Sequence, residues 1–584
     1  MIPFFLASGL LGLLLWHICF GPDIWYHLFL GKTLLETGSL ATPHNHILLE
    51  SNRTDIYWLF QVISYGAYKF FGLYGLTVLF GIIWTGIFFF WLKLGQITKS
   101  PVSGILLFLG AIIIAQNRFE FRPEVFAYLF LVMELWILER WGTSLAPLAV
   151  VGLFFIQALW TNCHGFFALG PLIFAGKISG DWAEGRGLPK RCLVVLVILC
   201  LATFCSPYGL GNWVMVLNYW HLLGAFKHKI QEADPPYGFF VRLWSIKVFL
   251  LYWILTALVS IKSILRNWRR NVFEALIAFG GLFLSAVAFR NIPLLVLLSA
   301  PLWCASLPSI EAAVMKPRWV RGCFMCAAMA VILILSWMTI TDRYTESMGG
   351  QSGFGVSLDV GYPIHALKFL ETYPQPLLLF NNPESGGFLE FHFPGLRLFG
   401  DSFFTDASAD VPYFCALVQR DCFEDLRSQY HFNSALFDVE SNDKVFFTLF
   451  KDPQWQLAEA DLRHLLFVFN PGGPSQIKTD IAVYRGEDLS PINQSSALVR
   501  WSLLAGMFDL RDLWVKTLSS LTAAKEIPSP FFKFSLTYGI RRHDKEMLQR
   551  ILALYPKMKP YSGDDAADME TLATLVNEAR ENAQ

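Results

Sequence analysis

Residues 1–28 read MIPFFLASGLLGLLLWHICFGPDIWYHL. Residues 2–20 are apolar and lack both a basic leader and a small-residue cleavage site, so they are expected to stay as a first membrane helix. The first acidic residue of the chain, Asp23, follows at once. Working outward, apolar stretches recur near 64–92, 102–117, 122–138, 145–161, 164–178, 191–206, 243–262, 272–289, 291–308 and 321–341. With 2–20 they predict about eleven spans, several close to the short limit for crossing a core about 30 Å thick. The stretch at 164–178 is short enough to be tilted, broken or re-entrant.

Composition agrees. Of 584 residues, 54% are hydrophobic and 16% charged, against roughly 25% charged in soluble domains. Disorder and a small disulfide scaffold are both excluded. The zero net charge hides a split. Residues 1–341 carry 24 Lys+Arg against 14 Asp+Glu, and residues 342–584 carry 22 against 32. The expected architecture is an α-helical polytopic membrane bundle at 1–341, a Gly/Ser-rich linker at 342–362, a soluble α/β domain at 363–475 and a helical tail at 498–584, possessing no clean repeat signature.

Loop charge sets the expected orientation. With the N-terminus cytoplasmic, inner loops hold fourteen basic residues, including the cluster Arg266-Asn267-Trp268-Arg269-Arg270, and outer loops hold eight. This favours an extracytoplasmic C-terminal domain. No phosphate-binding glycine loop and no nucleic-acid signature is present. The long outer segments are 21–56 and 207–242. The first reads as an interfacial helix ended by Gly38. The second holds His221, His228, Glu232 and Asp234 before Pro235-Pro236.

The polar residues at the outer junctions carry any chemistry. Asp23 reads either as a helix N-cap or as a base at the membrane–water boundary. Arg118, Glu120, Arg122 and Glu124 alternate between two spans, so the arginines could clamp a phosphate or the four could neutralise one another. Asn162 and His164 read as acceptor contacts or as interhelical hydrogen bonding, and His27 likewise. Arg290 suits a lipid-phosphate contact or snorkels to the head groups. His44 and His46, spaced i,i+2, could ligate a divalent metal or be plain loop residues. No other cofactor is indicated.

In the soluble part, 363–373 and 411–430 suit helices, and 376–381, 432–438, 445–450 and 464–469 suit strands. Gly386-Gly387 suits a tight turn. Cys415 and Cys422 on one helix would lie about 10 Å apart, beyond disulfide reach, which argues against a strongly oxidising compartment. The tail is expected to be helical throughout, with turns at Pro528-Ser529-Pro530 and Pro560-Tyr561-Ser562.

Several of these motifs together resemble the glycosyltransferase C superfamily, in particular bacterial proteins distantly related to protein mannosyltransferases and the aminoarabinose lipid A transferase. They are Asp23-Ile24-Trp25-Tyr26-His27-Leu28, Trp58-Leu59-Phe60-Gln61, Gly72-Leu73-Tyr74-Gly75-Leu76, Arg122-Pro123, Trp160-Thr161-Asn162-Cys163-His164-Gly165, Ser206-Pro207-Tyr208-Gly209 and Arg290-Asn291-Ile292-Pro293. Asn381, Gly386-Gly387-Phe388-Leu389 and Asp401 continue the likeness, which covers about residues 10–470. The resemblance implies a multi-pass protein of the bacterial inner membrane that transfers a sugar from a polyprenyl-phosphate donor to an extracytoplasmic acceptor. It places Asp23 as catalytic base, with Glu120 and Glu124 as further acids and Arg118, Arg122 and Arg290 on the lipid phosphate. Two departures leave a second reading open. One acidic residue, not two, precedes the Trp-His pair, and Asp401-Ser402-Phe403 stands where relatives carry Asp-Gly-Arg. The chain would then be an inactive scaffold binding a protein partner through 498–584.

Overall fold

The computed structural model describes most of the chain. The principal stretches outside the described residues are 41–54, 95–99, 227–233, 240–243, 267–270, 345–354, 357–361, 401–406, 439–444, 471–479 and 482–513. His44, His46, Asp401, most of the linker and most of the 266–270 basic cluster therefore lie outside them. Two compact units emerge: one holds Met1–Pro43 and Ser51–Gly350, the other Leu358–Gln584.

The first unit is helical. Its helices are α1 (Ile2–Leu15), α2 (Asp23–Thr37), α3 (Trp58–Lys93), α4 (Pro101–Ala115), α5 (Glu124–Trp141), α6 (Pro147–Thr161), α7 (Leu169–Ala183), α8 (Lys190–Ala202), α9 (Gly211–Phe226), α10 (Trp244–Arg266), α11 (Val272–Val287), α12 (Ile292–Val314) and α13 (Arg318–Ile340). Each of the eleven apolar stretches read from the sequence carries one of them. Five segments among the described residues are long and apolar enough to cross a membrane: Trp58–Lys93, Pro101–Arg118, Trp244–Leu265, Phe289–Ala312 and Arg318–Ile340. Phe4–Leu15, Pro147–Thr161 and Val272–Val287 are apolar but shorter. Outward-facing Leu148, Leu172, Leu258, Phe283 and Leu333 are exposed, as suits a bundle sided by hydrocarbon. α3 is interrupted at Gly72, whose φ of 58° and ψ of −145° is non-helical and open to glycine at little cost. α2 ends at Gly38, also at positive φ, with its N–H bonded to Leu34 O at 2.9 Å.

The bundle has two differently built ends. At one, Glu311 of α12 accepts from the Ser103 N–H (3.2 Å) and hydroxyl (2.6 Å) in the first turn of α4. At the same end Lys177 and Arg186 both pair with Asp181, at 2.9 and 3.0 Å, and Glu184 accepts from the Val272 N–H that opens α11. The other end gathers the junctions that carry the candidate residues.

The second unit is a six-stranded sheet with helices. The strands are β1 (Leu378–Asn381), β2 (Arg397–Leu398), β3 (Ser434–Asp438), β4 (Trp455–Ala460), β5 (His464–Phe469) and β6 (Asp480–Ile481). Their order is β2-β1-β3-β5-β4-β6. β1 runs parallel to β2 and β3, while β5 is antiparallel to both β3 and β4. Phe380 centres the core, its ring 5.1 Å from those of Phe399, Phe423 and Phe432. The helices are α14 (Ile364–Thr372), α15 (Pro383–His392), α16 (Ala407–Val418), α17 (Arg420–Tyr430) and α18 (Phe446–Leu449). The tail adds α19 (Ser529–Arg542), α20 (Lys545–Leu554) and α21 (Ala566–Ala583). Trp514, Phe532, Leu548 and Val576 of the tail belong to the same buried cluster as Phe380.

Four expectations are corrected. The 445–450 segment is helical: Phe446 and Leu449, three apart, are the buried pair, and a short apolar run does not by itself distinguish helix from strand. Gly386-Gly387 lies inside α15, because Asn382 caps that helix by accepting from the Ser385 N–H at 3.2 Å and Pro383 suits its first position. The tail is not helical throughout; Ile527–Pro528 and Met558–Lys559 form a two-stranded parallel pair. Finally, 411–430 is not one helix. Gln419 is extended (φ −116°, ψ 132°) and separates α16 from α17. The break brings the Cα atoms of Cys415 and Cys422 to 5.7 Å, and the two form a disulfide. The argument against an oxidising compartment falls with it. Replacing both cysteines by serine should lower the stability of this unit by about 2 kcal/mol through lost loop closure, measured by thermal unfolding, and should abolish the thiol-alkylation mass difference between reduced and unreduced protein.

Candidate functional site

One end of the bundle is stitched together by the polar groups of its turns. Asn162, closing α6, accepts from Trp58 Nε1 at 2.7 Å and donates Nδ2 to Ala158 O and Cys205 O, each at 2.7 Å. Its main-chain oxygen takes the Leu59 N–H at 3.2 Å. Asn212 donates to Thr161 O at 3.0 Å. Ser245 donates to Asn117 Oδ1 at 2.7 Å, Tyr128 to Arg290 O at 3.4 Å, and Phe289 N to Asp234 O at 2.8 Å. Asn162 is thus an interhelical tie that joins the end of α6 to the first turn of α3 and to the turn before α9.

Asp23 lies in the first turn of α2, where the helix dipole favours a carboxylate. Arg122, from the turn before α5, reaches it: Nη1 is 3.4 Å from Asp23 Oδ2. The same guanidinium pairs with Glu120, Nε to Oε2 at 2.7 Å. Gly21 completes this corner, since a Cβ there would touch Glu120 Oε2 at 3.4 Å and Arg122 Nε at 3.5 Å. Asp23 and Glu120 side chains are 29% and 34% exposed, Arg122 17%. All three are reachable from outside.

A second ion pair is sealed. Arg118 Nε donates to Glu124 Oε1 at 2.9 Å, and the side chains are only 3% and 6% exposed. Glu124, Arg290 and Arg118 all lie within electrostatic reach of His164. His164 is buried, and its Nδ1 accepts from the Phe166 N–H at 3.1 Å. The Tyr57 ring bridges the two imidazoles, 5.6 Å from His27 and 5.8 Å from His164.

His27 sits one turn into α2 beside Asp23 and is buried. The Gln61 amide, 3.3 Å from its Nδ1, also donates to Asp55 Oδ2 at 2.5 Å. Burial pushes the His27 imidazole down to about 3, with the Arg122 charge and His164 acting the same way. Asp55 accepts the Tyr57 N–H as well, at 3.0 Å. It lines a small cavity together with Thr33, Trp58, Gln61 and Tyr208. The α2–α3 contact that sets this spacing needs Gly31: a Cβ there would come within 2.3 Å of Gln61 O.

The structure therefore brings Asp23, His27, Arg118, Glu120, Arg122, Glu124, Asn162, His164 and Arg290 to one end of the bundle. His44 and His46 lie outside the described residues. No cluster of three or more His, Cys, Asp or Glu suited to a metal occurs among the described residues. Gln61 and Tyr208 received no role from the sequence. The signal for Gln61 is a lone amide inside the apolar run Trp58-Leu59-Phe60-Gln61-Val62-Ile63. Chemically, the corner offers a solvent-reachable carboxylate, a two-way guanidinium and a neutral imidazole.

No family model matches the chain, and no curated protein matches it. Among solved structures, it is similar to the apo-form crystal structure of the Archaeoglobus fulgidus oligosaccharyltransferase, at 12% identity and a TM-score of 0.45. The match covers 72% of this chain and 66% of that one, so this chain spans just under two thirds of that protein's length.

Two outcomes are expected. Glu124→Ala strands Arg118 in a buried site and should cost about 3–5 kcal/mol of stability, read from denaturation in detergent. His27 is held neutral in the fold, whereas the unfolded imidazole titrates near 6.5. Its contribution is therefore intact above pH 6.5 and is lost as pH falls toward about 3. His27→Gln should flatten that part of the melting temperature against pH curve.

Proposed function

We propose that the chain is a membrane glycosyltransferase that moves a sugar from a polyprenyl-phosphate donor to an extracytoplasmic acceptor, in the bacterial inner membrane with its N-terminus cytoplasmic. The observation that carries this reading is the corner formed by Asp23, Arg122 and Glu120 at one bundle end, reachable from outside and backed by Arg118, Glu124, His164 and Arg290. A carboxylate within ion-pair distance of an arginine is what a base beside a leaving phosphate requires.

In this scheme Asp23 takes the proton of an acceptor hydroxyl as that oxygen attacks the anomeric carbon. The carbon–oxygen bond to the lipid phosphate breaks, and the phosphate leaves with the electron pair. Arg122 turns from the two carboxylates toward the phosphate, with Arg290 as second cation. Direct displacement inverts the anomeric centre. Glu120 holds Arg122 in place before the donor arrives. Glu124, through Arg118, supports the wall. His27, neutral and tethered by Gln61, hydrogen-bonds rather than carries charge. Membrane lipids would surround the bundle and admit the donor sideways.

A second reading has one specific observation behind it. Arg122 already answers both Asp23 and Glu120, and Arg118 answers Glu124. A self-neutralised end of this kind suits an inactive scaffold whose working surface is the second unit, with a protein partner at 498–584.

In proteoliposomes loaded with polyprenyl-phosphate sugars, Asp23→Asn should reduce transfer by about 10²–10⁴-fold with the melting temperature unchanged. Unaltered transfer removes Asp23 as the base. A wild-type chain inactive across donors, yet retaining a partner that charge reversal at the exposed α21 residues Glu578 and Arg580 releases, favours the scaffold.

A further inference from the structure

Between α5, α6 and α7 lie two polar side chains that the outer site does not use. Glu134, midway along α5, is 2% exposed, and Gln157 of α6 is 1% exposed. The Gln157 amide nitrogen donates to Phe167 O at 3.0 Å and reaches Thr161 Oγ1 at 3.4 Å. Its Oε1 receives no hydrogen bond among the described residues, and neither does Glu134 Oε1. No charged side chain of the described residues pairs with Glu134 from α3, α6, α7 or α12, the helices packed against α5.

Both side chains converge on Gly170 in α7. A Cβ at that position would lie 2.0 Å from Gln157 Oε1 and 3.0 Å from Glu134 Oε2. The acid and the amide thus present oxygens to the same small space, which only glycine leaves open. Two oxygens placed so repel each other unless a hydrogen lies between them. An unpaired carboxylate in an apolar interior is costly. One proton removes both penalties.

We propose that Glu134 is a neutral carboxylic acid that donates its hydrogen to Oε1 of Gln157, and that this acid–amide clasp positions the 161–168 turn. With Oε1 engaged, the amide nitrogen is fixed toward Phe167 O. Thr161 donates its hydroxyl back to Gln157 O at 2.9 Å. The turn carrying Asn162 and His164 is therefore held on both sides by one glutamine, and Glu134 decides which way round that glutamine sits. Glu134 touches no reacting atom and is a positioning residue. The clasp stands whether or not sugar transfer is the activity.

The test uses the full chain in lipid nanodiscs. The infrared difference between wild type and Glu134→Gln at neutral pH should contain the C=O stretch of a protonated carboxyl, and carboxylate bands in its place would overturn the proposal. Glu134→Gln supplies an N–H where the acid supplied an O–H. It should keep the wild-type melting temperature and the nitrogen chemical shifts of labelled His164, whereas Glu134→Ala should lower the first by several degrees and move the second. Equal disruption by both variants would overturn the clasp. Should Glu134→Ala fail to fold, the infrared band and the behaviour of Glu134→Gln decide alone.

Discussion

Asn162 uses its side chain and its carbonyl to hold Trp58, Leu59, Ala158 and Cys205 together. The other turns at this end of the bundle are tied in the same way. Helix ends leave backbone groups without partners, and next to hydrocarbon they cannot turn to water. The junctions of this bundle solve that by bonding to each other. Because the junctions of this end gather in one place, the charged and aromatic residues they carry gather too. The candidate site is in this sense a by-product of satisfying helix termini.

Depth then sorts residues of the same type into different roles. Arg118 and Arg122 are four residues apart, and each meets a glutamate. The first pair is sealed and acts as structure, since breaking it strands a buried charge. The second is open on one side and shares its guanidinium between two carboxylates. A pair in contact with solvent exchanges partners at small cost. The same turn thus supplies one fixed and one movable cation. His27 and His164 follow the inner rule, buried and tied through Nδ1.

Eleven helices of the first unit were legible because apolar runs of fifteen or more residues leave few alternatives, and α2 was legible from its amphipathic spacing, whereas α9 (Gly211–Phe226) lies inside the 207–242 segment that read as a loop. The polar junctions that the sequence groups together, at Asp23, Arg118–Glu124, Asn162–His164 and Arg290, do lie at one end of the bundle, while His44 and His46 lie outside the described residues. What the sequence could not provide was who meets whom. The Asp23–Arg122 contact joins turns separated by three helices, α2, α3 and α4. Gln61 and Tyr208 sit in apolar or turn-like surroundings that give no hint of Asp55. The second unit was harder. Val445-Phe446-Phe447-Thr448-Leu449 is apolar at every spacing, so periodicity is silent. The Cys415–Cys422 pair was misread because a single extended residue, Gln419, undoes the helical distance on which the reading relied.

Gly31 bears no charge, donates no side-chain bond and faces no substrate, yet it lets the backbone of α2 lie against that of α3 at Gln61. Any larger residue would push the two backbones apart, since its Cβ would meet Gln61 O at 2.3 Å. The separation would carry Asp23 away from Arg122 and His27 away from Gln61 together. Variation at this position is therefore filtered by geometry before chemistry is ever consulted, and the least reactive residue of the corner becomes one of its hardest to replace.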